Sequence, residues 1–102
     1  MMNILSVGPD HKVLADRNRK LRGFGHDVRS AETRAGALEL ARFGVFDVVV
    51  ICDQFLPAYA AQLADELHYV APRTTILVLP RYTRPLSAGE IHFLIDTQAA
   101  AA

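Results

Sequence analysis

Three short, uninterrupted apolar runs constrain the fold of this chain more than any other feature. They lie at residues 4–7, 48–52 and 76–79, and each is shorter than a typical buried helix. Strands that read as continuous apolar runs, rather than as an alternation, are typical of parallel sheets covered on both faces. A weaker run at residues 27–30 and a final apolar stretch at residues 91–95 are predicted as two further strands.

Helical segments separate these runs. The first predicted helix has an approximate apolar stripe, formed by Val13, Leu14, Asn18, Leu21 and Phe24. Thr33 is expected to cap the second helix, Gly44 to end it, and Pro57 to open the third. Strands that alternate with helices favour a three-layer α/β sandwich, in which helices cover both faces of a parallel sheet.

Composition narrows the class of protein. The chain has 102 residues, enough for one domain, which is predicted to span residues 1–98 and to be followed by an alanine tail at 99–102. Its 11 basic and 11 acidic side chains balance, so no net field directs it to nucleic acid or to an anionic membrane. The single cysteine, Cys52, cannot form an internal disulfide. No signal peptide is visible, and a cytoplasmic protein is expected.

The segment around the third apolar run resembles the phosphoacceptor strand of response-regulator receiver domains. In that family an aspartate lies four residues before a proline, and Asp53 and Pro57 keep this spacing, with Leu56 between them. Residues 35–40 and 73–79 are similar to the family's second helix and fourth strand. The resemblance implies a flavodoxin-like (CheY-like) fold with sheet order 2-1-3-4-5, and a role in the phosphorelay of two-component signal transduction.

The chain departs from the family where the family's phosphorylation chemistry resides. The acid pair that binds a divalent metal after the first strand is replaced by Gly8 and Pro9, with Asp10 one residue further on. Pro80 stands in the position of the hydroxyl residue, and Asp96 is aligned with the lysine. Of these functional positions, only the acceptor position, Asp53, has the residue that the family has.

These departures predict that Asp53 is not phosphorylated by the conventional mechanism. Phosphoryl transfer to a carboxylate requires cations that neutralise the accumulating negative charge, and Mg²⁺ prefers several oxygen ligands. We therefore expect no catalysis, no cofactor and no bound Mg²⁺. Asp53 is then a solvated carboxylate at a strand end, or it pairs with a fixed cation, for which Arg81 and Arg84 are the candidates.

The C-terminal part is short for the family, so its fourth and fifth helices are expected to be reduced or absent. Without the last helix, one face of the final strands would meet water. The apolar side chains expected on this face are Leu77, Leu79, Phe93 and Ile95. Such a patch, beside an unprotected strand edge, predicts docking to a protein partner or self-association, with a homodimer as the simplest form.

Two alternative functions remain open from the sequence. The first is a functional phosphoacceptor receiver that uses Asp53, and the second is a small nucleotide- or ligand-binding α/β domain with its site near Gly8, Pro9 and Asp53. The four histidines show no metal-ligand spacing, and Cys52 is predicted to be a small core residue. A basic cluster is predicted to be the solvated face of the first helix; it comprises Arg17, Arg19, Lys20 and Arg22.

Overall fold

The computed structural model describes residues 2–80 and 86–101, with side chains as far as Thr97. Four strands and four helices alternate in these ranges. They are β1 (Asn3–Val7), α1 (His11–Gly23), β2 (Asp27–Ala31), α2 (Arg34–Phe43), β3 (Val48–Ile51), α3 (Pro57–Val70), β4 (Thr75–Val78) and α4 (Ala88–Ala101). Within the described part of the chain, no helix is both long and apolar enough to cross a membrane.

The four strands form one parallel sheet in the order β2-β1-β3-β4. Leu5 of β1 is in register with Val49 of β3, so the two most buried strands lie side by side at the centre. Every residue of β3 is buried, which explains why its sequence is a continuous apolar run. The predicted flavodoxin-like fold is confirmed, and the first four strands have the predicted order.

The core has two layers, one on each face of the sheet. One layer joins the sheet to α1 and α4 and includes Ile4, Leu21 and Ile95. The other joins the sheet to α2 and α3 and includes Val49 and Leu63. Because helices cover both faces, the sheet is the middle layer of a three-layer sandwich.

The helix ends follow local signals in the sequence. Thr33 caps α2 as predicted, and its Oγ1 accepts a hydrogen bond from the Gly36 amide at 3.1 Å. Pro57 occupies the first turn of α3, where the missing amide hydrogen costs no hydrogen bond. After α1 the chain reverses through Gly25, whose φ of 93° is readily adopted only by glycine.

The prediction of a fifth strand at residues 91–95 is wrong, because this segment belongs to α4. A strand would place Ile91, Phe93 and Ile95 on the same face, whereas a helix places residues three or four apart on one face and so separates Phe93 from Ile91 and Ile95. Ile91 and Ile95 are 0% exposed, and Phe93 is 68% exposed. The burial pattern is therefore that of a helix.

A capping box begins α4 and explains the helix in local terms. The Ser87 Oγ accepts from the Glu90 amide at 3.2 Å, while a Glu90 carboxylate oxygen accepts from the Ser87 amide at 3.1 Å. The pattern Ser-x-x-Glu before an apolar run is a recognised helix start. The Thr97 hydroxyl donates to the Phe93 carbonyl at 2.8 Å within the helix. The helix continues to Ala101, into the predicted alanine tail.

The predicted exposure of the last strands is also wrong for three of its four residues. Leu77, Leu79 and Ile95 are 8%, 3% and 0% exposed, because α4 covers the face of the sheet that the sequence predicts to be bare. Only Phe93 points away from the core. The described part of the chain therefore retains a covering helix on this side.

The helical assignment of residues 91–95 predicts unequal effects of two substitutions. Ile95→Ala removes a fully buried side chain and should lower the free energy of unfolding by about 3 kcal/mol. Phe93→Ala, the matched control, should change it by less than about 0.5 kcal/mol, since exposed side chains away from special features contribute little. Urea unfolding followed by circular dichroism measures both. Equal losses would indicate the strand arrangement instead.

Candidate functional site

The carboxyl ends of β1 and β3 meet at one edge of the sheet and form the candidate site. The Cys52 amide donates to the Val7 carbonyl at 2.8 Å, which holds the two strand ends together. Gly8 follows β1, and Asp53 follows Cys52. The strand order reverses between β1 and β3, and in open α/β sheets such a point is where ligands usually bind.

A buried arginine of α1 reaches this edge. The Arg17 side chain is 7% exposed, and its Nη2 lies 3.8 Å from Oδ1 of Asp53, whose side chain is 16% exposed. Its Nη1 donates to the Cys52 Sγ at 3.4 Å. The Cys52 thiol in turn lies 3.4 Å from Oδ1 of Asp53, with the thiol as donor. Arginine, thiol and carboxylate therefore form one compact polar cluster.

The charges in this cluster are complementary. At 3.8 Å the guanidinium and the carboxylate are within ion-pair range but beyond a direct hydrogen bond, so the attraction between them is mainly Coulombic. Both groups are largely buried, and the attraction between buried charges is screened less than it would be in water. Removing the Asp53 charge would leave the Arg17 guanidinium, which is 7% exposed, poorly compensated, and this is costly at a buried site.

Close packing at Gly8 prevents an acidic side chain from entering the same edge. A Cβ at residue 8 would lie 2.9 Å from the Cys52 Cβ and 3.1 Å from the Leu14 Cδ2. The first of these contacts is shorter than real Cβ atoms show, so any larger side chain would displace its neighbours. Glycine at this position is required by the close approach of α1 and β3.

The neighbouring acid has a structural task. Asp10 is the N-cap of α1, and its Oδ1 accepts from the amides of Lys12 and Val13 at 2.9 and 3.2 Å. Pro9 has no side-chain oxygen. The described residues at this edge do not fit a Mg²⁺ ion, because the ion would have few oxygen ligands and would lie near the Arg17 cation.

Asp96 and Pro80, predicted to replace the family's lysine and hydroxyl residue, lie on different elements. Pro80 follows β4 and is exposed. Asp96 is not at a strand end, since it lies on α4 and its Oδ2 is 3.3 Å from Nε2 of His92. Its predicted alignment with the family's lysine is therefore wrong, for the same reason that the fifth strand is wrong. Arg81 and Arg84, predicted as cation partners, lie outside the described residues.

The role of Arg17 is not among the sequence predictions. The prediction that Arg17 lies on the solvated face of the first helix is wrong, whereas Arg19 and Lys20 are exposed as predicted and pair with Asp16. One signal in the sequence does point to its burial. Residue 17 lies three positions after Leu14 and four before Leu21, on the apolar stripe of α1 rather than opposite it.

Comparison with known proteins finds similarity only at the level of structure. No protein-family model and no curated protein sequence matches the chain. A receiver-domain protein from Clostridium thermocellum superposes with a TM-score of 0.83 at 14% identity, covering 99% of this chain and 96% of the other. An adenylate cyclase from Rhodopirellula baltica gives 0.82 at 17% identity, covering 96% and 87%.

A third match comes from a complex of two proteins. A chain in the crystal structure of the histidine kinase ThkA with the response regulator TrrA gives a TM-score of 0.78 at 17% identity, covering 96% of this chain and 98% of the other. Further receiver domains match over most of the chain. This chain therefore has the fold of response-regulator receiver domains, with a four-stranded sheet in the described residues.

The buried position of Arg17 predicts a large effect of removing its charge. Arg17→Met keeps an unbranched apolar stem, removes the guanidinium charge beside Asp53, and should lower the free energy of unfolding by about 2–4 kcal/mol. The matched control on the same helix, Arg19→Met, should cost less than about 1 kcal/mol, because exposed ion pairs contribute little. Urea unfolding measures both, and equal small losses would show that Arg17 is not a buried partner.

Proposed function

We propose that this chain is an atypical receiver domain of two-component signal transduction that binds a protein partner and works without conventional aspartyl phosphorylation. It acts as an interaction module rather than as an enzyme, and it holds no cofactor. The receiver fold supports the signalling role, because the matching solved structures are receiver domains along most of this chain.

The observation that carries the proposal is the Arg17 side chain beside Asp53. A buried guanidinium 3.8 Å from the carboxylate provides a permanent positive charge where conventional phosphorylation recruits a metal ion. Gly8, packed against Cys52 and Leu14, leaves no room for an acidic ligand. The domain is therefore held in one electrostatic state, which suits constitutive recognition of a partner.

A protein that carries out phosphorelay, such as a histidine kinase, is the proposed partner. The kinase-bound structure among the matches supports this choice, since the fold shared with this chain is present in that complex. The proposed compartment is the cytoplasm. Its reducing conditions suit a chain whose one cysteine, Cys52, is a buried free thiol.

Incubation with acetyl phosphate and Mg²⁺ should produce no phosphoryl adduct on Asp53. The reason is that the described site lacks the oxygen ligands that would bring Mg²⁺ to the carboxylate. Intact-mass spectrometry at acidic pH measures the adduct. The response regulator TrrA from Thermotoga maritima, whose structure was solved with Mg²⁺ and a beryllium fluoride group, is a suitable positive control.

Two results, one from this experiment and one from a parallel thermal-shift screen, would contradict the proposal. A stoichiometric adduct that disappears in Asp53→Asn would show a functional phosphoacceptor. Saturable stabilisation by a nucleotide in a parallel thermal-shift screen would instead favour the ligand-binding domain, since a ligand of the folded state raises apparent stability.

We also propose self-association through the edge of β4. In the described ranges β4 pairs with β3 alone, so one side of its backbone has no strand partner there. Its sequence, Thr-Ile-Leu-Val, has no charged residue to discourage edge pairing, and Val78 is 38% exposed. Two copies related by a two-fold axis would pair these edges in antiparallel orientation and extend the sheet across the dimer.

Sedimentation velocity at high micromolar concentration should show a reversible dimer. Val78→Lys introduces a charge at the paired edge and should shift the chain to monomer, because like charges would meet across the two-fold axis. Val45→Lys, at an 84% exposed position away from the edge, is the matched control and should leave the dimer intact. A wild-type monomer at the same concentration would rule out this interface.

A further inference from the structure

Two histidines and an aspartate form a hydrogen-bonded chain that joins α4 to the loop between α1 and β2. The Met2 backbone amide donates to Nδ1 of His26 at 3.3 Å. Nε2 of His26 lies 2.8 Å from Nδ1 of His92, and Nε2 of His92 lies 3.3 Å from Oδ2 of Asp96. His26 is 7% exposed, and the Phe24 ring stacks on His92 at a centroid distance of 4.4 Å.

The backbone amide at one end fixes every proton in this chain. A backbone N–H can only donate, so Nδ1 of His26 is an acceptor and its proton is on Nε2. His26 then donates to Nδ1 of His92, and His92 carries its proton on Nε2. That proton is donated to the Asp96 carboxylate. Both histidines are neutral in this arrangement, and each nitrogen has a partner of the correct kind.

One additional proton breaks this series of hydrogen bonds. If Nδ1 of His26 is protonated, it faces the Met2 N–H donor. If Nδ1 of His92 is protonated, it faces the Nε2–H of His26, unless His26 changes tautomer and loses Met2. In each case a bond between α4 and the rest of the domain, or the bond that orients His26, is lost.

The electrostatic surroundings of His26 act in the same direction. Burial, mainly, and then the neighbouring His92 and the amino terminus lower the pKa of His26 from its ordinary value of 6.5, while Asp96 opposes them. The unfolded chain therefore binds a proton at a higher pH than the folded chain does. The stabilisation is complete above about pH 6.5 and is lost progressively as the pH falls toward the lower folded value.

We propose that the His26–His92–Asp96 chain is a pH-sensitive latch that holds α4 on the domain at neutral pH and loosens it on mild acidification. The helix it holds covers one face of the sheet, since Ile91 and Ile95 pack in the same core layer as Leu77 and Leu79. Loosening α4 exposes part of that apolar layer. The latch therefore couples proton concentration to the surface that the domain presents to partners.

A metal ion held by the same three side chains fits the geometry less well. One potential ligand atom from each of the three side chains lies within 4.8 Å of the other two. However, His26 and Asp96 contact opposite nitrogens of the His92 ring, and one ion can bind only one of these nitrogens. A metal on Nε2 of His26 would also place the ring proton on Nδ1, against the Met2 N–H. Metal-bound histidines instead donate that proton to an acceptor.

The first test determines the tautomers directly. Two-bond ¹H–¹⁵N correlation spectra at pH 7.5 should show both His26 and His92 protonated on Nε2 and not on Nδ1. Protonation of either ring on Nδ1 at this pH would overturn the proposed chain. Addition of ZnCl₂ should leave both resonances in place, whereas saturable shifts of both histidines would assign the cluster as a metal site and overturn the latch.

The second test measures the attachment of α4. Hydrogen exchange of the peptide covering residues 88–97, corrected for intrinsic rates, should show protection that falls between pH 7.5 and 5.5, by at most about tenfold, because pH 5.5 lies only about one unit below the ordinary histidine pKa. Protection of a β3 peptide should fall less. Constant protection of the α4 peptide would contradict the latch.

Variants separate the latch from general acid sensitivity. His26→Asn keeps an acceptor near the Met2 amide but cannot titrate, and His92→Phe keeps an aromatic ring on Phe24. His26→Asn should lose most of the pH dependence of α4 protection, and His92→Phe should lose the part carried by the His26–His92 bond. His68→Gln, at an exposed position on α3, is the matched control and should retain it. Equal pH dependence in all four proteins would refute the latch.

Discussion

The buried guanidinium of Arg17 beside the Asp53 carboxylate is the interaction on which the candidate site depends. A charged side chain that is 7% exposed requires compensation, and the structure provides it from the end of β3 through a carboxylate and a thiol. The same contact brings α1 close to the strand ends, where Gly8 is packed against Cys52. The close packing and the fixed cation therefore have a common origin.

If the proposed function is correct, this arrangement explains how a receiver fold can persist without conventional aspartyl phosphorylation. Conventional phosphorylation needs a metal ion in the site that neutralises the developing charge, and a site that can change state. In this chain a covalently attached cation is always present. Under the proposed function, this cation compensates the Asp53 carboxylate in the resting protein, so the fold keeps its stability and its capacity to present a surface without a charge-based switch at this position.

In the C-terminal part, a single described helix covers one face of the sheet. After β4 the described chain forms one helix, α4, which covers the α1 side of the sheet. Its capping box at Ser87 and Glu90 begins the helix, and Ile91 and Ile95 anchor it in the core. The His26–His92 hydrogen bond adds a polar contact between α4 and the loop after α1. A four-stranded sheet thereby retains helices on both faces.

The fold could be predicted from the sequence to a large extent, and the site only in part. Continuous apolar runs, the Thr33 cap and Pro57 are local signals, and they place the first four strands and three helices correctly. The strand prediction for residues 91–95 fails because a five-residue apolar run fits both a strand and a helix, and only the capping box before it distinguishes the two. The contacts of Arg17 and His26 depend on partners that only the tertiary structure supplies, since Arg17 meets Cys52 across 35 residues and His26 meets His92 across 66. Spacing along the sequence therefore shows scattered histidines and a basic helix face, where the folded chain forms two specific polar clusters.

A double-mutant cycle between Arg17 and Asp53 tests the central claim most directly. The free energies of unfolding of the wild type, Arg17→Met, Asp53→Asn and the double variant give the coupling between the two charges, free of the other contacts that each makes. A favourable coupling of about 1–3 kcal/mol that persists at high salt is the result expected for a buried pair. A coupling within error of zero would show that the arginine does not compensate the carboxylate, and would contradict the fixed-cation explanation of the site.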